Sequence, residues 1–343
     1  MSKNKAHIEA MASYEAPQVV LTSWIEDQIR ETMQRLRIPK GYIKRLTGVS
    51  ERRYWNNGEK MHELATEAVR NAIEKAGIDP QEVGCLINTS VCRDHLEPSQ
   101  ACMVHGALGL SSDCLTYDIT NACLGFVNGM DAVRHMIEAG SIKYGVVVTA
   151  EGPMKALTNV ISILRKSSCD SKTFMQYLAM LTIGSGAVAM VLSREDVAKS
   201  DAYINATVSM TDTTNGNNRL CIASCDHSQM IADAIGILTN GMPLVARTWE
   251  KAKRLIPGWG DDNIDLYIPH QTSSRQIREV SKHLGLTKEK VHMVLGRLGN
   301  AISAAVPLAL HDAIETNLIK SGDHVALMGV GSGLNCMIMS TKW

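Results

Sequence analysis

Two parts of this sequence repeat the same order of segments, and this repeat restricts the possible folds more than any other feature. Each part holds an apolar run, a turn, a helix-like segment and two further apolar runs. The six apolar runs are GCLINTS (84–90), YGVVVTAE (144–151), AVAMVLS (187–193), IDLYIPHQ (264–271), HVALMGVG (324–331) and CMIMSTKW (336–343). This order predicts a duplicated unit whose two copies pack face to face.

Several of these runs are apolar without alternation, which is typical of strands covered on both faces of a sheet. The segment HELATEAVRNAIEKAG (62–77) has apolar residues at helical spacing and ends in glycine, so it predicts a helix. Strands that alternate with helices indicate the α/β class. We therefore expect two α/β halves, residues 1–195 and residues 196–343.

The repeat also suggests where a reactive site would form. Cys123 and Asn300 stand at the starts of helix-like segments at matching places, and His270 follows an apolar run of the second part. An approximate twofold would bring the three side chains together. The positive end of a helix lowers a thiol pKa, so Cys123 is a candidate nucleophile toward a thioester. The alternatives are a packed core thiol, a structural histidine and, for Asn300, a helix N-cap.

Composition argues against several other classes of function. The 343 residues carry 35 basic and 35 acidic side chains, so net charge provides no case for binding nucleic acid or an anionic membrane. The uncharged stretch 175–192 is interrupted by Gly184-Ser185-Gly186, which favours a helix, a turn and a core strand over a membrane span.

The cysteines and the first residues predict the compartment. Nine cysteines is an odd number, and none has the spacing of a zinc site, so we expect reduced thiols and no metal. The stretch MSKNKAHIEA (1–10) lacks the apolar core of a signal peptide. We therefore expect a cytoplasmic protein.

Four motifs carry a resemblance to a known family. They are NACLGFVNGM (121–130), IPHQTS (268–273), GRLGNAISAAVPLAL (296–310) and GVGSGLNC (329–336). In this order and at similar spacing they resemble the motifs of thiolase-superfamily condensing enzymes, and the similarity extends from RLTGVSERRYW (45–55) to the C-terminus. The resemblance implies a thiolase-like fold with five layers in the order αβαβα.

Within that superfamily, the segment 86–110 is most similar to the OleA type, which condenses two fatty acyl-CoA molecules. Glu97 matches the glutamate that precedes Pro-Ser in that type. Joining two acyl thioesters requires removal of an α-proton, and a carboxylate is a suitable base. Decarboxylation of malonyl-ACP, the reaction of the related ketoacyl-ACP synthase III enzymes, needs no added base. The alternative for Glu97 is an ordinary surface carboxylate.

The resemblance implies roles for further residues. His270 and Asn300 would hold a thioester oxygen as it becomes an enolate. The backbone N–H groups around Gly331, Ser332 and Gly333 would polarise the acyl-cysteine carbonyl, although these glycines can also simply permit a tight turn.

Binding of CoA is the least specific part of the resemblance. Arg45, Arg52 and Arg53 are candidates to meet CoA phosphates, since they lie in a segment similar to the family's early CoA site. That segment has Leu46 where the family has arginine, and the departure leaves open which cation meets the phosphates. The alternative is an ordinary solvated face.

The sequence therefore predicts an acyltransferase that joins two fatty acyl-CoA molecules through an acyl-Cys123 intermediate and releases a β-keto acid. In the OleA group this product feeds long-chain olefin synthesis by downstream enzymes. We expect no cofactor, and the family's shared sites imply a homodimer in which Glu97 enters the partner's site. The alternatives are a decarboxylative ketoacyl-ACP synthase III and a non-catalytic acyl-binding partner subunit.

Overall fold

The computed structural model describes residues 4–226 and 228–343 as a mixed α/β protein; residues 1–3 of the N-terminal stretch lie outside the described residues. The strands are β1 (Ala6–Tyr14), β2 (Gln18–Leu21), β3 (Glu51–Tyr54), β4 (Val83–Asn88), β5 (Leu115–Asp118), β6 (Tyr144–Glu151), β7 (Gly186–Arg194), β8 (Tyr203–Thr211), β9 (Cys221–Ala223), β10 (Met230–Ala232), β11 (Leu266–Pro269), β12 (His324–Gly331) and β13 (Asn335–Lys342). The α-helices are α1 (Thr22–Gln28), α2 (Arg30–Arg35), α3 (Tyr42–Thr47), α4 (Met61–Ala76), α5 (Gln100–Leu108), α6 (Gly125–Glu138), α7 (Met154–Leu164), α8 (Ser171–Tyr177), α9 (Ala234–Leu255), α10 (Ser274–Leu284), α11 (Leu295–Leu298) and α12 (Ala305–Glu315).

The pairing of the strands confirms the duplication. In the first half β4 runs parallel to β6, β6 antiparallel to β7, and β7 antiparallel to β1. In the second half β11 runs parallel to β12, β12 antiparallel to β13, and β13 antiparallel to β8. Beyond these strands, β5 pairs parallel with β4, and a parallel bridge from Tyr267 to Val291 takes the matching place beside β11.

The two sets of strands join at a single point. The order across the whole sheet is β11-β12-β13-β8-β1-β7-β6-β4-β5. The junction is the pair His7–Tyr203 between β1 and β8, next to a hydrogen bond of 2.7 Å from the Ile8 N–H to the Ala202 carbonyl. Such a short junction lets the two sets fold toward each other.

Helices complete five layers in the order αβαβα, as the resemblance implied. In the middle layer, α6 and α12 contact each other between the two sets of strands. Phe126 and Val133 of α6 and Val306 and Leu310 of α12 are buried there in one apolar core. The outer layers are α4 with α5 over the first half and α9 with α10 over the second.

All six apolar runs form strands, namely β4, β6, β7, β11, β12 and β13, and the predicted helix at 62–77 is α4. The stretch 175–192 forms the end of α8, a 3-10 helix (Leu178–Thr182) and most of β7. In the described part of the chain, no helix is both long enough and apolar enough to cross a membrane. The central core contains side chains from both halves of the chain. The division into two domains, residues 1–195 and residues 196–343, therefore stays a prediction.

Sequence reasoning missed the strands β1 and β8. Both carry many small or polar residues, in AHIEAMASY and YINATVSMT, so neither stands out as an apolar run. Their strand conformation is supported by pairing with β7 and β13, which lie far away in the sequence.

The start of α6 generates a test of packing. A Cβ at Gly125 would lie 2.6 Å from the Thr89 carbonyl oxygen, whereas a Cβ at Gly241 of α9 would meet only Leu334 at 3.9 Å. We expect Gly125→Ala to reduce the free energy of unfolding by about 1–3 kcal/mol because the helix must move away from β4. The matched change Gly241→Ala should increase it by up to about 1 kcal/mol, because alanine favours a helix more than glycine does. Urea denaturation measures both, and equal effects would contradict this account.

Candidate active site

Cys123 lies in a tight turn just before α6. The helix begins at Gly125 rather than at Cys123, so the expected helix start is slightly misplaced. Ala122 has a φ of 47°, a left-handed conformation that non-glycine residues rarely adopt. The Leu124 N–H donates to the Asn121 carbonyl at 3.0 Å and closes the turn around Cys123. The cysteine is therefore held by its backbone as well as by the helix that follows.

Strand β12 of the second half packs against this turn. A Cβ at Gly331 would lie 3.3 Å from Leu124 Cγ and 3.6 Å from the Cys123 nitrogen, and a Cβ at Gly329 would overlap the Leu124 side chain. Glycine at both positions lets the strand approach this closely without displacing Leu124. The glycines of β12 thus bring the backbone of one half against the cysteine of the other.

His270 follows directly after β11. Its N–H donates to the Met328 carbonyl at 2.6 Å. The buried Gln271 side chain fixes the next residue, since its Oε1 accepts from the N–H groups of Val294 (2.9 Å) and Leu295 (2.8 Å). Neither ring nitrogen of His270 forms a hydrogen bond with the described residues. The ring therefore has both nitrogens available for a substrate.

Asn300 is held by its backbone against the first half. Its N–H donates to the Thr182 carbonyl and its carbonyl accepts from the Gly184 N–H, both at 3.0 Å. Its Oδ1 accepts from the Ile302 N–H at 3.0 Å. The helix α12 begins only at Ala305, so the expectation that Asn300 starts or caps this helix is wrong.

The Gly184-Ser185-Gly186 turn thereby gains a role that the sequence did not reveal. A Cβ at Gly184 would overlap the Leu298 carbonyl oxygen, and a Cβ at Gly299 would lie 2.5 Å from the Thr182 carbonyl oxygen. Because neither glycine has a side chain, the Asn300 backbone can come close enough to form its hydrogen bonds with Thr182 and Gly184. The turn was predicted only as a break before β7, because its contact with Asn300 is formed far along the chain.

One cavity of about 670 Å³ brings the predicted residues of both halves together. Cys123, His270, Asn300, Gly331 and Ser332 line it, whereas Gly333 lies outside its lining. Most of the remaining walls are apolar, with Leu178, Met180, Ile183, Met230, Ile235, Ile237, Leu238, Val330 and Leu334 among them. Its volume and apolar lining are typical of small-molecule sites. The cavity thus presents a thiol, an imidazole and a carboxamide to an apolar ligand.

Burial controls the charges in this cavity. Burial raises the pKa of the Cys123 thiol to about 12, and the nearby Cys221 and Glu151 add to the effect. The expected lowering of this pKa is therefore wrong for the free site, where burial is the largest influence. Burial also lowers the pKa of His270 to about 4. The resting pair is a neutral thiol and a neutral imidazole, so the thiol proton has to leave as a bond to sulfur forms, and an imidazole is able to accept it.

Glu97 is not with the other three in the described chain. It lies in the loop between β4 and α5, where residues 95–98 are exposed, and it does not line the cavity. The structure of one chain therefore unites Cys123, His270 and Asn300 and leaves Glu97 on the surface.

The three candidate arginines have different surroundings. Arg45 is exposed, and its guanidinium lies 5.6 Å from the ring of Tyr42, a residue of the cavity wall. Arg52 is fully buried, and its guanidinium donates to the Leu181 carbonyl at 2.6 Å and to Thr22 Oγ1 at 3.0 Å. The prediction that Arg52 meets CoA phosphates is therefore wrong, because its donors face the protein interior.

Arg53 also lies away from the cysteine. It pairs with Glu15 at 3.4 Å and borders a separate cavity of about 150 Å³.

Sequence reasoning missed Arg275, an exposed cation that lines the large cavity. Its only signal was its position five residues after His270, at the first turn of α10. Cys221, which also lines the cavity, was missed as well because β9 approaches Cys123 only in the folded chain.

The described residues show no disulfide and no metal-binding cluster. All nine cysteines are among these residues, and each is a free thiol. Within residues 4–226 and 228–343, no group of three or more histidine, cysteine, aspartate or glutamate side chains is arranged to hold a metal ion.

Comparisons with known proteins agree with this geometry. The family model described as 3-oxoacyl-[acyl-carrier-protein] synthase III matches residues 117–213, and the model of its C-terminal part matches residues 257–343. An acyl-CoA:acyl-CoA alkyltransferase of Xanthomonas campestris pv. campestris is 34% identical, and the alignment covers 98% of each chain. The chain belongs to the ketoacyl synthase III family of thiolase-type condensing enzymes.

Other members of this family match nearly as fully. The acyl-CoA:acyl-CoA alkyltransferase of Shewanella oneidensis is 33% identical over 100% of both chains. A beta-ketoacyl-[acyl-carrier-protein] synthase III of Natranaerobius thermophilus is 30% identical over 88% of this chain and 90% of its own. A crystal structure of a cysteine-to-serine variant of Xanthomonas campestris OleA, with bound lauric acid and lauroyl-CoA, superposes with a TM-score of 0.95 at 34% identity, covering 99% of this chain and 100% of that one. The alkyltransferases thus match over more of this condensing enzyme than that synthase does.

The protonation state of His270 can be measured directly. Because burial lowers its pKa to about 4, the imidazole should stay neutral as the pH falls below the ordinary value for histidine and should gain a proton only near pH 4. NMR titration of ring-labelled histidine measures this midpoint, and the spectrum of His270→Asn assigns the resonance. A midpoint at or above the ordinary histidine value would contradict the neutral pair.

Proposed function

We propose that this condensing enzyme joins two fatty acyl-CoA molecules by Claisen condensation without decarboxylation and releases a β-keto acid. The observation that carries the proposal is the meeting of Cys123, His270 and Asn300 in one apolar cavity of about 670 Å³. The names of the relatives at 34% and 33% identity support a CoA-bound acyl group as the substrate. The reaction uses only acyl-CoA and water, so we expect no cofactor.

The first step transfers an acyl group to Cys123. The sulfur attacks the thioester carbonyl of the first acyl-CoA while His270 accepts the thiol proton. CoA leaves as its thiol after taking that proton. Backbone N–H groups near Gly331 and Ser332, both in the cavity wall, would stabilise the negative oxygen of the tetrahedral intermediate.

The second step forms the carbon–carbon bond. A base removes an α-proton from the second acyl-CoA, and the side chains of His270 and Asn300 donate hydrogen bonds to the enolate oxygen. The α-carbon attacks the acyl-Cys123 carbonyl, and the bond to sulfur breaks to leave a β-ketoacyl-CoA and the Cys123 thiolate. The thiolate then takes up a proton, and the base releases the one it removed, so that the resting site is restored. Hydrolysis of the remaining thioester then gives the β-keto acid and CoA.

Glu97 is the proposed base, and we propose that it acts in the site of a partner subunit. Its loop is exposed on its own chain, outside the cavity wall. The end of that loop contacts Asp118 of β5. Among the described residues β5 is the last strand of the sheet, so its outer edge has no strand partner there. A second copy that pairs with this edge would place each Glu97 loop close to the other subunit. The homodimer and the shared site are therefore one proposal.

The wider setting follows from the product. A β-keto acid is a substrate for enzymes that act after condensation, and the similarity to OleA favours a place in long-chain olefin synthesis. The free state of all nine cysteines supports a reducing compartment such as the cytoplasm.

The competing reaction is decarboxylative condensation with malonyl-ACP, which the 30% identity to a beta-ketoacyl-[acyl-carrier-protein] synthase III favours. We expect purified protein given a fatty acyl-CoA alone to produce free CoA and a β-keto acid, or the ketone formed when that acid loses CO₂. Thiol release and mass spectrometry measure the products. A strict requirement for a malonyl thioester would refute non-decarboxylative condensation.

Two substitutions separate the steps. Cys123→Ser should abolish nearly all acylation, because a serine hydroxyl is a far weaker nucleophile in this setting than a thiol. Glu97→Gln should leave the acyl-Cys123 adduct intact and slow condensation by about 100-fold or more, because the general base is lost. Mass spectrometry of the protein measures the adduct, and product release measures condensation. Unchanged turnover in either variant would remove that residue from the mechanism.

The arginines generate a test of CoA binding. Arg275→Ala and Arg45→Ala should each raise the KM for acyl-CoA by about twofold to fivefold, since one exposed ion pair contributes up to about 1 kcal/mol. Arg53→Ala is the matched control and should leave KM unchanged. Raising the ionic strength should reduce the differences among the variants. An effect of Arg53→Ala equal to that of Arg275→Ala would contradict this assignment.

A further inference from the structure

The loop that carries Glu97 combines an exposed tip with a firmly held base. Residues 95–98 are exposed, and Leu96 is 83% exposed. By contrast, Asp94 and Ser99 on either side of this tip are partly buried. An exposed loop that must present a base to another subunit needs such an anchor, because a freely moving carboxylate would seldom reach a reacting carbon.

Asp94 forms the anchor on one side. Its Oδ1 accepts from the Met61 N–H at 3.0 Å, and its Oδ2 accepts from the His62 N–H at 2.9 Å. These are the first N–H groups of α4, whose own N-cap residue, Lys60, offers no capping side chain. The His62 ring adds a contact of 2.7 Å from Nδ1 to Oδ2. Asp94 thus ties the Glu97 loop to the start of a long helix of the outer layer.

The charge of Asp94 suits this position. Burial alone would raise its pKa, but the hydrogen bonds from the His62 and Met61 amides, together with the His62 ring, lower the pKa below its usual value. The carboxylate therefore stays charged at neutral pH, next to the positive end of α4.

The other side of the loop is tied down as well. The Asp94 N–H donates to Gln100 Oε1 at 2.8 Å, which links the two ends of the tip directly. The N–H groups of Gln100 and Ala101 in turn donate to the Asp118 carboxylate at 3.1 and 3.0 Å. Of these anchors, Asp94 is the one that touches both the helix α4 and the far end of the loop.

We infer that Asp94 is a positioning residue for condensation: it holds the loop so that Glu97 reaches the α-carbon in the partner subunit's site. This inference rests on the proposed function. Asp94 itself lies outside the lining of the cysteine cavity. Its loss should therefore slow proton removal and leave acylation of Cys123 unchanged. Since a displacement of about 1 Å can reduce a rate by about 100-fold, we expect condensation to fall by roughly 10- to 100-fold.

Asp94→Asn is the informative change. Met61 and His62 each donate a backbone N–H to one oxygen of this carboxylate. In asparagine one oxygen is replaced by an NH₂ group, which is a donor, so one of these two hydrogen bonds is lost. The matched control is Asp79→Asn, which changes an exposed carboxylate that accepts from the Gln81 N–H at the start of a 3-10 helix (Pro80–Glu82). Both variants are assayed for the acyl-Cys123 adduct and for condensation, and their melting temperatures are recorded. We expect full acylation in both and slow condensation only in Asp94→Asn.

Mixed dimers distinguish positioning from a general structural effect. One subunit carries Cys123→Ala, so each dimer has only one reactive cysteine. Because Glu97 is proposed to act in the partner's site, the Glu97 that acts on this cysteine belongs to the Cys123→Ala subunit. Asp94→Asn on the Cys123→Ala subunit should slow condensation, whereas Asp94→Asn on the subunit with intact Cys123 should have no effect. Glu97→Gln in the same two arrangements is the reference.

The outcomes separate the two proposals. In the first outcome, Glu97→Gln on the Cys123→Ala subunit slows condensation, and Asp94→Asn on that same subunit does not. Asp94 is then not a positioning residue, although the proposed function stands. If the Asp94→Asn defect appears only on the subunit with intact Cys123, the inference is overturned as well. If Glu97→Gln has no effect in either arrangement, the proposed base is wrong, and the role inferred for Asp94 falls with it.

Discussion

Close contact between the Cys123 turn and strand β12 is the constraint on which the rest of the site depends. Gly329 and Gly331 let the strand of the second half approach Leu124 and the cysteine backbone. The same strand pairs with β11, and His270 follows directly after β11. A side chain at Gly329 would displace the Leu124 side chain, and one at Gly331 would crowd Leu124. The two similar units therefore meet here through close backbone packing.

Burial at this junction then determines the chemistry. It raises the pKa of Cys123 and lowers the pKa of His270, so both groups are uncharged before substrate binds. A neutral, apolar cavity favours entry of a long acyl chain, and it strengthens each hydrogen bond offered to a developing oxyanion. The neutral thiol makes the site dependent on proton transfer during acylation. Apolar binding and the proposed role of the imidazole as general base are thus two consequences of one environment.

The position of Glu97 contrasts with this enclosed group. A carboxylate placed permanently beside Cys123 would favour the neutral thiol further, as the buried Glu151 already does. Glu97 lies on an exposed loop outside the cavity of its own chain, and the ties of that loop to α4 and Asp118 hold it in place. The proposed homodimer would join the two parts, so that each site has an enclosed acyl-binding half and a separate base.

The sequence by itself determined the α/β class, six strands of the duplicated unit and five residues of the cavity, because apolar runs and motifs can be recognised along the chain. It could not identify β1 and β8, whose strand conformation depends on distant partners. Only the tertiary structure decided that Arg52 is an interior residue, that the Gly184 turn holds Asn300, and that burial raises the pKa of Cys123. The physical reason is the same in each case: hydrogen-bond partners and solvent exposure arise when segments far apart in the sequence come into contact.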